Sequence, residues 1–425
     1  MQINTFALFI IIIIDVISIF FILLRYQNFE TKIAGFVALA GYNISSCLGL
    51  FFDLDNENYL IVGMLFLLLM IFMLGTIMEN QTIILFGGNR IFPDLNNIDD
   101  YIEIIRILGI ISLVIQLVSD FYPVNYVSNL SITSFAVSNA RFIRKLARSG
   151  GLAWAIDRLQ LVLLPFFLVW LYTLRDNWKK FVSLFTIYSL SDMLQKQMIT
   201  SRSGYMQIII FILLYLTLEK KISKKQLMII GGGIGIISVV AMTQFKSFIM
   251  GTEETYEGFG EYFFALIQSE ASGGQSRLAF CDSVHSSLSF VHYLYHCFSA
   301  PLFFLPDDGF PTLSYYFTNG VLGLNYGQIG YYVILPGALG EGLMVLGKYF
   351  ACFYGAFIGI YAGAFFKYLR RTEYLRYMYI YFLIRFGLAF RGSIQSFVMK
   401  SFNCLIYFVI VMVIIKFIVD YKKGD

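Results

Sequence analysis

Polar chemistry in this chain collects in a few short stretches set between long apolar runs. One is Ser201-Arg202-Ser203-Gly204. Arginine offers a planar, permanently charged fork of donors suited to phosphate, and Gly204 lets the backbone turn sharply beside it. The residues before this turn are unusually polar: Asp192, Gln195, Lys196, Gln197 and Thr200, with Asp192 and Lys196 spaced four apart as a helical ion pair would be. Arg391-Gly392-Ser393 repeats the pattern of an arginine followed by small residues. Arg141, Arg144, Lys145 and Arg148 fall at i, i+3, i+4 and i+7 and make a basic helical face.

Proton transfer needs a different set of groups. The segment 276–298 reads as one helix with an apolar stripe of Phe280, Val284, Leu288, Val291, Tyr295 and Phe298. At about 100° per residue, Arg277, His285, His292 and His296 share a face, with Gly273, Gly274 and Ser276 as the N-terminal lead. A helix start with an arginine is an anion site. Three chemistries stay open: a metal held by His292 and His296 without the usual accompanying carboxylate, acid–base work led by His285, or an amphipathic helix in an interface. Glu341, in a glycine-rich stretch from Asn319 to Gly342, is a second ionisable candidate.

The elements that must hold these groups are set by composition. Hydrophobic residues are 58% of 425 and charged residues 14%, with mean hydropathy +0.72; a soluble domain carries about 25% charged residues. Apolar runs of about 20 residues match a hydrocarbon core of ~30 Å, and in lipid such runs must be helices. The expectation is an all-α polytopic membrane protein, a single transmembrane domain over 1–425. Spans fall near 3–24, 33–52, 60–78, 104–122, 159–174, 181–199, 204–218, 227–248, 343–366, 376–390 and 394–418, about 11 in all. Residues 3–25 read as a retained first span, because no basic leader precedes them and no cleavage site follows.

Positive charge orients the array. Basic loops at Arg25/Lys32, Arg175–Lys180, Lys220–Lys225 and Lys367–Arg376, with the lysine-rich C-terminus, all fall on the cytoplasmic side. The N-terminus, a long loop over 249–342, the 141–148 stretch and the turns at 201–204 and 391–393 then fall outside. At that boundary bland alternatives stand beside each candidate: Arg202 snorkelling to headgroups, Glu341 solvated at the interface, and the 141–148 face resting on anionic lipid rather than on a polyanionic substrate. Asp15 lies inside the first span, where a carboxylate pairs with another helix or carries a proton. Gly231, Gly232, Gly233 and Gly235 fit close helix packing better than a phosphate loop. Of five cysteines, Cys281 and Cys297 flank a loop segment and could pair.

This layout resembles the O-antigen (oligosaccharide repeat unit) polymerases of the Wzy type, and more loosely the O-antigen ligases. The carriers are Ser201-Arg202-Ser203-Gly204 before an apolar run, a large outer loop with the early Arg277, the Gly337-Ala338-Leu339-Gly340-Glu341 re-entry followed by Leu346-Gly347, and Arg391-Gly392. They extend over residues 140–420. The arginine–glycine spacing sometimes cited for the family is not met by Arg141, Arg202 or Arg277. The resemblance implies a GT-C-like glycosyltransferase at the periplasmic face of a bacterial inner membrane. It would move a growing glycan from undecaprenyl pyrophosphate onto a new lipid-linked repeat unit. It implies no cofactor and no metal, so arginines supply the electrostatics. Arg202, Arg277 and Arg391 would grip pyrophosphate, with Gly204, Arg141 and Arg144 contributing to substrate binding, and His285 or Glu341 would take the acceptor's proton. Partners would be the lipid-linked oligosaccharide, membrane lipids and a chain-length regulator, with no nucleic acid. A lipid-linked oligosaccharide flippase and an O-antigen ligase are the alternatives.

Overall fold

A computed structural model describes residues 5–47, 58–80, 101–120, 151–195, 202–223, 225–226, 229, 233, 277–285, 288–299, 311–325 and 334–424. Every regular element among them is helical. In chain order these are α1 (Thr5–Arg25), α2 (Phe29–Tyr42), a π-helical turn (Asn43–Cys47), α3 (Leu60–Glu79), α4 (Ile102–Asp120), α5 (Gly151–Thr173), α6 (Trp178–Gln195) and α7 (Arg202–Leu218). There follow α8 (Leu278–Ser283), α9 (Phe290–Ser299), α10 (Leu313–Leu322), α11 (Gly337–Leu369), a 3-10 turn (Glu373–Leu375), α12 (Arg376–Ala389) and α13 (Ile394–Gly424). Among the described residues, five stretches are long and apolar enough to cross a membrane: Phe6–Arg25, Leu60–Glu79, Ala155–Thr173, Gly337–Leu369 and Ile394–Val419. Their outward faces carry bare apolar side chains such as Leu24, Ile61 and Phe417, a surface that suits lipid and not water. The expected span at 227–248, apart from residues 229 and 233, and the basic stretch with Arg141 and Arg144 lie outside the described residues.

The chain divides into two compact units. The first comprises residues 1–88, 256–371 and 385–403; the second comprises 89–255, 372–384 and 404–425. In the first unit, α11 lies against α3 along three glycines spaced by four. A Cβ on Gly355 would stand 2.4 Å from the Phe66 carbonyl oxygen, and one on Gly359 would stand 2.4 Å from that of Met70. A Cβ on Gly363 would press on Ile77. Backbone approach this close needs small residues at the interface. Tyr26 and Tyr42 brace the same helix, donating to the carbonyls of Ile71 (2.7 Å) and Gly63 (2.6 Å).

The second unit is organised by aromatic stacking. Phe181 and Phe185, one turn apart on α6, stack on Tyr215 and Phe211, one turn apart on α7, at centroid distances of 3.8 and 3.7 Å. Tyr377 meets Phe181 edge-on and donates to the Glu219 carboxylate at 2.9 Å, which also pairs with Arg376 at 3.5 Å. Between α4 and α5, Gly109 admits the Trp170 side chain.

Two expectations are corrected. The segment 276–298 is not one helix: α8 ends at Ser283 and α9 starts at Phe290. The Ser283 hydroxyl donates back to the Phe280 carbonyl at 2.8 Å, and the serine-rich stretch that follows offers the backbone such alternatives to helix. Arg277 and the three histidines therefore do not share a helix face. The re-entering chain, expected to span 343–366, instead starts its helix at Gly337 and breaks it at Gly347, where φ is 71° and ψ is 172°. The arms 337–346 and 348–369 fold back on each other: a Cβ on Gly342 would touch Tyr354 at 3.2 Å and the Ala351 carbonyl at 3.3 Å. Only the second arm, at about 1.5 Å per residue, has the roughly 33 Å needed to cross a bilayer.

Candidate active site at the helical hairpin

The hairpin of α11 brings together four of the eight predicted site residues, His285, Glu341, Arg277 and Arg391. Its first arm carries Glu341, fully buried. The carboxylate oxygen Oε2 accepts the Tyr354 hydroxyl from the second arm at 2.9 Å and the Gln395 amide N–H at 3.0 Å. That amide belongs to the first turn of α13, and the Ile394 amide and Ser393 hydroxyl also face the carboxylate. Glu341 thus caps a helix start from across the fold, where negative charge and unpaired N–H groups complement each other. The Gln395 side chain extends the network, accepting the Leu313 N–H at 2.8 Å. Behind Tyr354, the Tyr293 hydroxyl of α9 lies 2.7 Å away. Oε1 of Glu341 is buried and has no well-formed hydrogen bond among the described residues.

Helix α8 clasps the tip of the hairpin. Asp282 accepts the Lys348 N–H at 2.8 Å, capping the second arm, and takes the Tyr59 hydroxyl at 3.4 Å. Burial and the Asp282 carboxylate push the Tyr59 phenol up to about 12, so it remains a donor. His285 lies over Gly347: its Cδ2 stands 2.7 Å and its Nε2 3.0 Å from where a Cβ would be. Only glycine has the room and the backbone freedom there. His285 is partly exposed, yet its Nδ1 is buried without a hydrogen-bond partner among the described residues. Cys281 abuts Gly340, its Sγ 3.1 Å from a Cβ position. Burial and the neighbouring carboxylates push its thiol well up, which keeps it neutral. Cys281 and Cys297 are both buried thiols, not a disulfide.

Two arginine-bearing segments are anchored to this hairpin. Arg277 is the exposed residue at the start of α8, its carbonyl accepting the Cys281 N–H at 3.1 Å. Arg391, also exposed, sits in the turn between α12 and α13; the preceding Phe390 carbonyl accepts the Ala338 N–H at 2.9 Å. His285, Glu341, Arg277 and Arg391 therefore belong to one unit. Arg202 and Gly204 belong to the other, at the start of α7, where a Cβ on Gly204 would stand 2.7 Å from the Met193 sulfur. His292 is exposed on α9. No group of three metal-ligating side chains occurs among the described residues.

Asp282, Tyr354 and Gln395 were not singled out in the sequence. Asp282 stands five residues after Arg277, inside the segment read as a helix, but on the side facing the hairpin. Tyr354 becomes a partner of Glu341 only because the chain reverses at Gly347. Comparison of the chain with protein-family models, curated proteins and solved structures gives no match.

Proposed function

We propose that this protein is a membrane-embedded glycosyltransferase of the oligosaccharide repeat-unit polymerase kind, with its reaction centre at the α11 hairpin. Donor and acceptor are both carried on a polyprenyl pyrophosphate, and the centre opens to the extracytoplasmic side of an array of about 11 spans. The observation that carries the reading is the anchoring of the two segments that bear the exposed Arg277 and Arg391 to the α11 hairpin, which carries the buried Glu341 and packs against His285.

Each group then has a distinct task. Departure of a sugar from a polyprenyl pyrophosphate leaves negative charge on the leaving phosphate, which preorganised guanidinium groups stabilise where water is scarce. Arg277 and Arg391 do this. His285 accepts the proton of the acceptor hydroxyl, as an imidazole partly open to its surroundings can. Glu341, fully buried, ties the Arg391 turn to the hairpin and so acts through position. The sugar C1–oxygen bond to pyrophosphate breaks as the acceptor oxygen bonds C1, and the hydroxyl proton passes to His285.

The test uses the full chain in lipid nanodiscs with undecaprenyl-pyrophosphate-linked repeat units. The wild type should lengthen the glycan. His285→Ala should still bind the lipid-linked substrate but transfer about 10²–10⁴-fold more slowly, whereas Arg277→Ala and Arg391→Ala should weaken binding as well. Deletion in the host should leave surface polysaccharide as single attached repeats. Absence of attached repeats would indicate a ligase, and lipid-linked units trapped on the cytoplasmic leaflet a flippase. Either outcome would overturn the reading.

A further inference from the structure

Asp15 lies in the middle of α1, on the face that the helix buries. Ala7, Ile11, Ser18 and Ile22 mark that face, and Asp15 falls at the same helical spacing between Ile11 and Ser18. The partner across from it is Asn43, the first residue of the π-helical turn, whose Nδ2 donates to Asp15 Oδ2 at 2.9 Å. The other two oxygens of this pair, Asp15 Oδ1 and Asn43 Oδ1, are both buried and lack a hydrogen-bond partner among the described residues. An ionised carboxylate offers only acceptors, so it cannot satisfy the amide oxygen. Two orphaned acceptors on one hydrogen-bonded pair of side chains between apolar helices are costly.

One proton removes both defects. With Oδ1 of Asp15 protonated, its O–H donates to Asn43 Oδ1 while Asn43 Nδ2 donates to Asp15 Oδ2, closing a cyclic acid–amide pair. Exchanging the oxygen and nitrogen of the Asn43 amide only moves the proton to Oδ2. Among the described residues, no compensating cation is placed to replace the proton. The elements packed on α1 are α2 and α3, whose charged groups are Glu30, Lys32 and Glu79; these, with Arg25 of α1, belong to its far end. There Glu79 is occupied by the Gln27 N–H (3.2 Å) and the Thr31 hydroxyl (2.6 Å). The tyrosines, Tyr26, Tyr42 and Tyr59, donate elsewhere.

We propose that Asp15 and Asn43 form an intramembrane proton-binding site, in which a neutral Asp15 carboxyl joins α1 to the π-helical turn. The site is independent of the hairpin chemistry, and π turns inside helices frequently mark such functional positions.

Infrared difference spectroscopy on the full chain in nanodiscs tests it. At neutral pH, wild type minus Asp15→Asn should contain a carboxylic-acid C=O band that shifts in D2O. Asn43→Ser should move that band without abolishing it, which keeps the test valid should Asp15→Asn fold poorly. Loss of carboxylate absorbance alone in the Asp15→Asn difference would overturn the proposal. So would an acid band that disappears on adding sodium chloride but not choline chloride, because that would assign a metal cation.

Discussion

Replacing Gly347 with alanine is expected to be far more damaging than the exchange of one hydrogen atom for a methyl group suggests. Its φ of 71° with ψ of 172° lies in a region open essentially to glycine, and forcing another residue into it costs roughly 1–3 kcal/mol. The new methyl would also strike the His285 ring at 2.7 Å. Gly323 provides the control: its φ of 64° and ψ of 17° form a left-handed helix cap, and a Cβ there meets nothing within 4 Å. Asparagine tolerates that conformation. Gly323→Asn should therefore leave the thermal unfolding midpoint in detergent nearly unchanged. Gly347→Asn and Gly347→Ala should lower it clearly and displace His285. Equal midpoints for the variants at the two positions would contradict the hairpin geometry.

At the scale of helices, the glycine line Gly355, Gly359 and Gly363 sets how closely α11 approaches α3. A leucine at Gly359 would press its Cβ on a backbone carbonyl 2.4 Å away, and a carbonyl inside a helix cannot rotate aside. Overpacking of this kind typically costs about 1–3 kcal/mol. Gly359→Leu should therefore reduce the yield of monodisperse protein on size-exclusion chromatography. Gly392→Ala, whose Cβ would sit at an ordinary 3.4 Å from the Leu388 carbonyl, should not. The four-residue spacing of these glycines stands openly in the sequence. Apolar runs such as 5–25 and 60–79 were equally legible, because bilayer thickness and backbone hydrogen bonding leave few options for them. The reversal at Gly347 was not: apolar residues continue on both sides of it, and hydropathy carries no information about direction. The break before α9 was hidden in the same way, since the stripe from Phe280 to Phe298 keeps helical spacing through the intervening serines. Of the candidate site, His285, Glu341, Arg277 and Arg391 were recognisable by type and position. Their partners Asp282, Tyr354 and Gln395, like Asn43 opposite Asp15, depend on contacts between segments distant in sequence, which periodicity cannot reveal.

For the molecule as a whole, the proposed reaction requires the Arg391 turn and the basic turn at Lys367, Arg370 and Arg371 to face opposite sides of the membrane. The connection between them is the short 3-10 turn at Glu373–Leu375 followed by α12, a helix of 14 residues. At 1.5 Å per residue it rises roughly 21 Å, less than the ~30 Å hydrocarbon core. With Arg371 at the cytoplasmic surface, the Arg391 turn then ends below the opposite surface. An arginine at that depth faces a protein partner or a cavity that admits water or an anion, and a pyrophosphate site is such a cavity. Single cysteines at positions 371 and 391, placed in a background without the native cysteines, test this with a membrane-impermeant maleimide. Cysteine at 371 should react only from the cytoplasmic side. Cysteine at 391 should react only from the other side, more slowly, and should be protected when undecaprenyl-pyrophosphate-linked substrate is added. Labelling of both from one side would mean that α12 does not cross, and would separate Arg391 from any extracytoplasmic chemistry. Fast labelling at 391 without protection would leave the arginine at an ordinary surface, where a solvated guanidinium contributes little to stabilising a leaving phosphate.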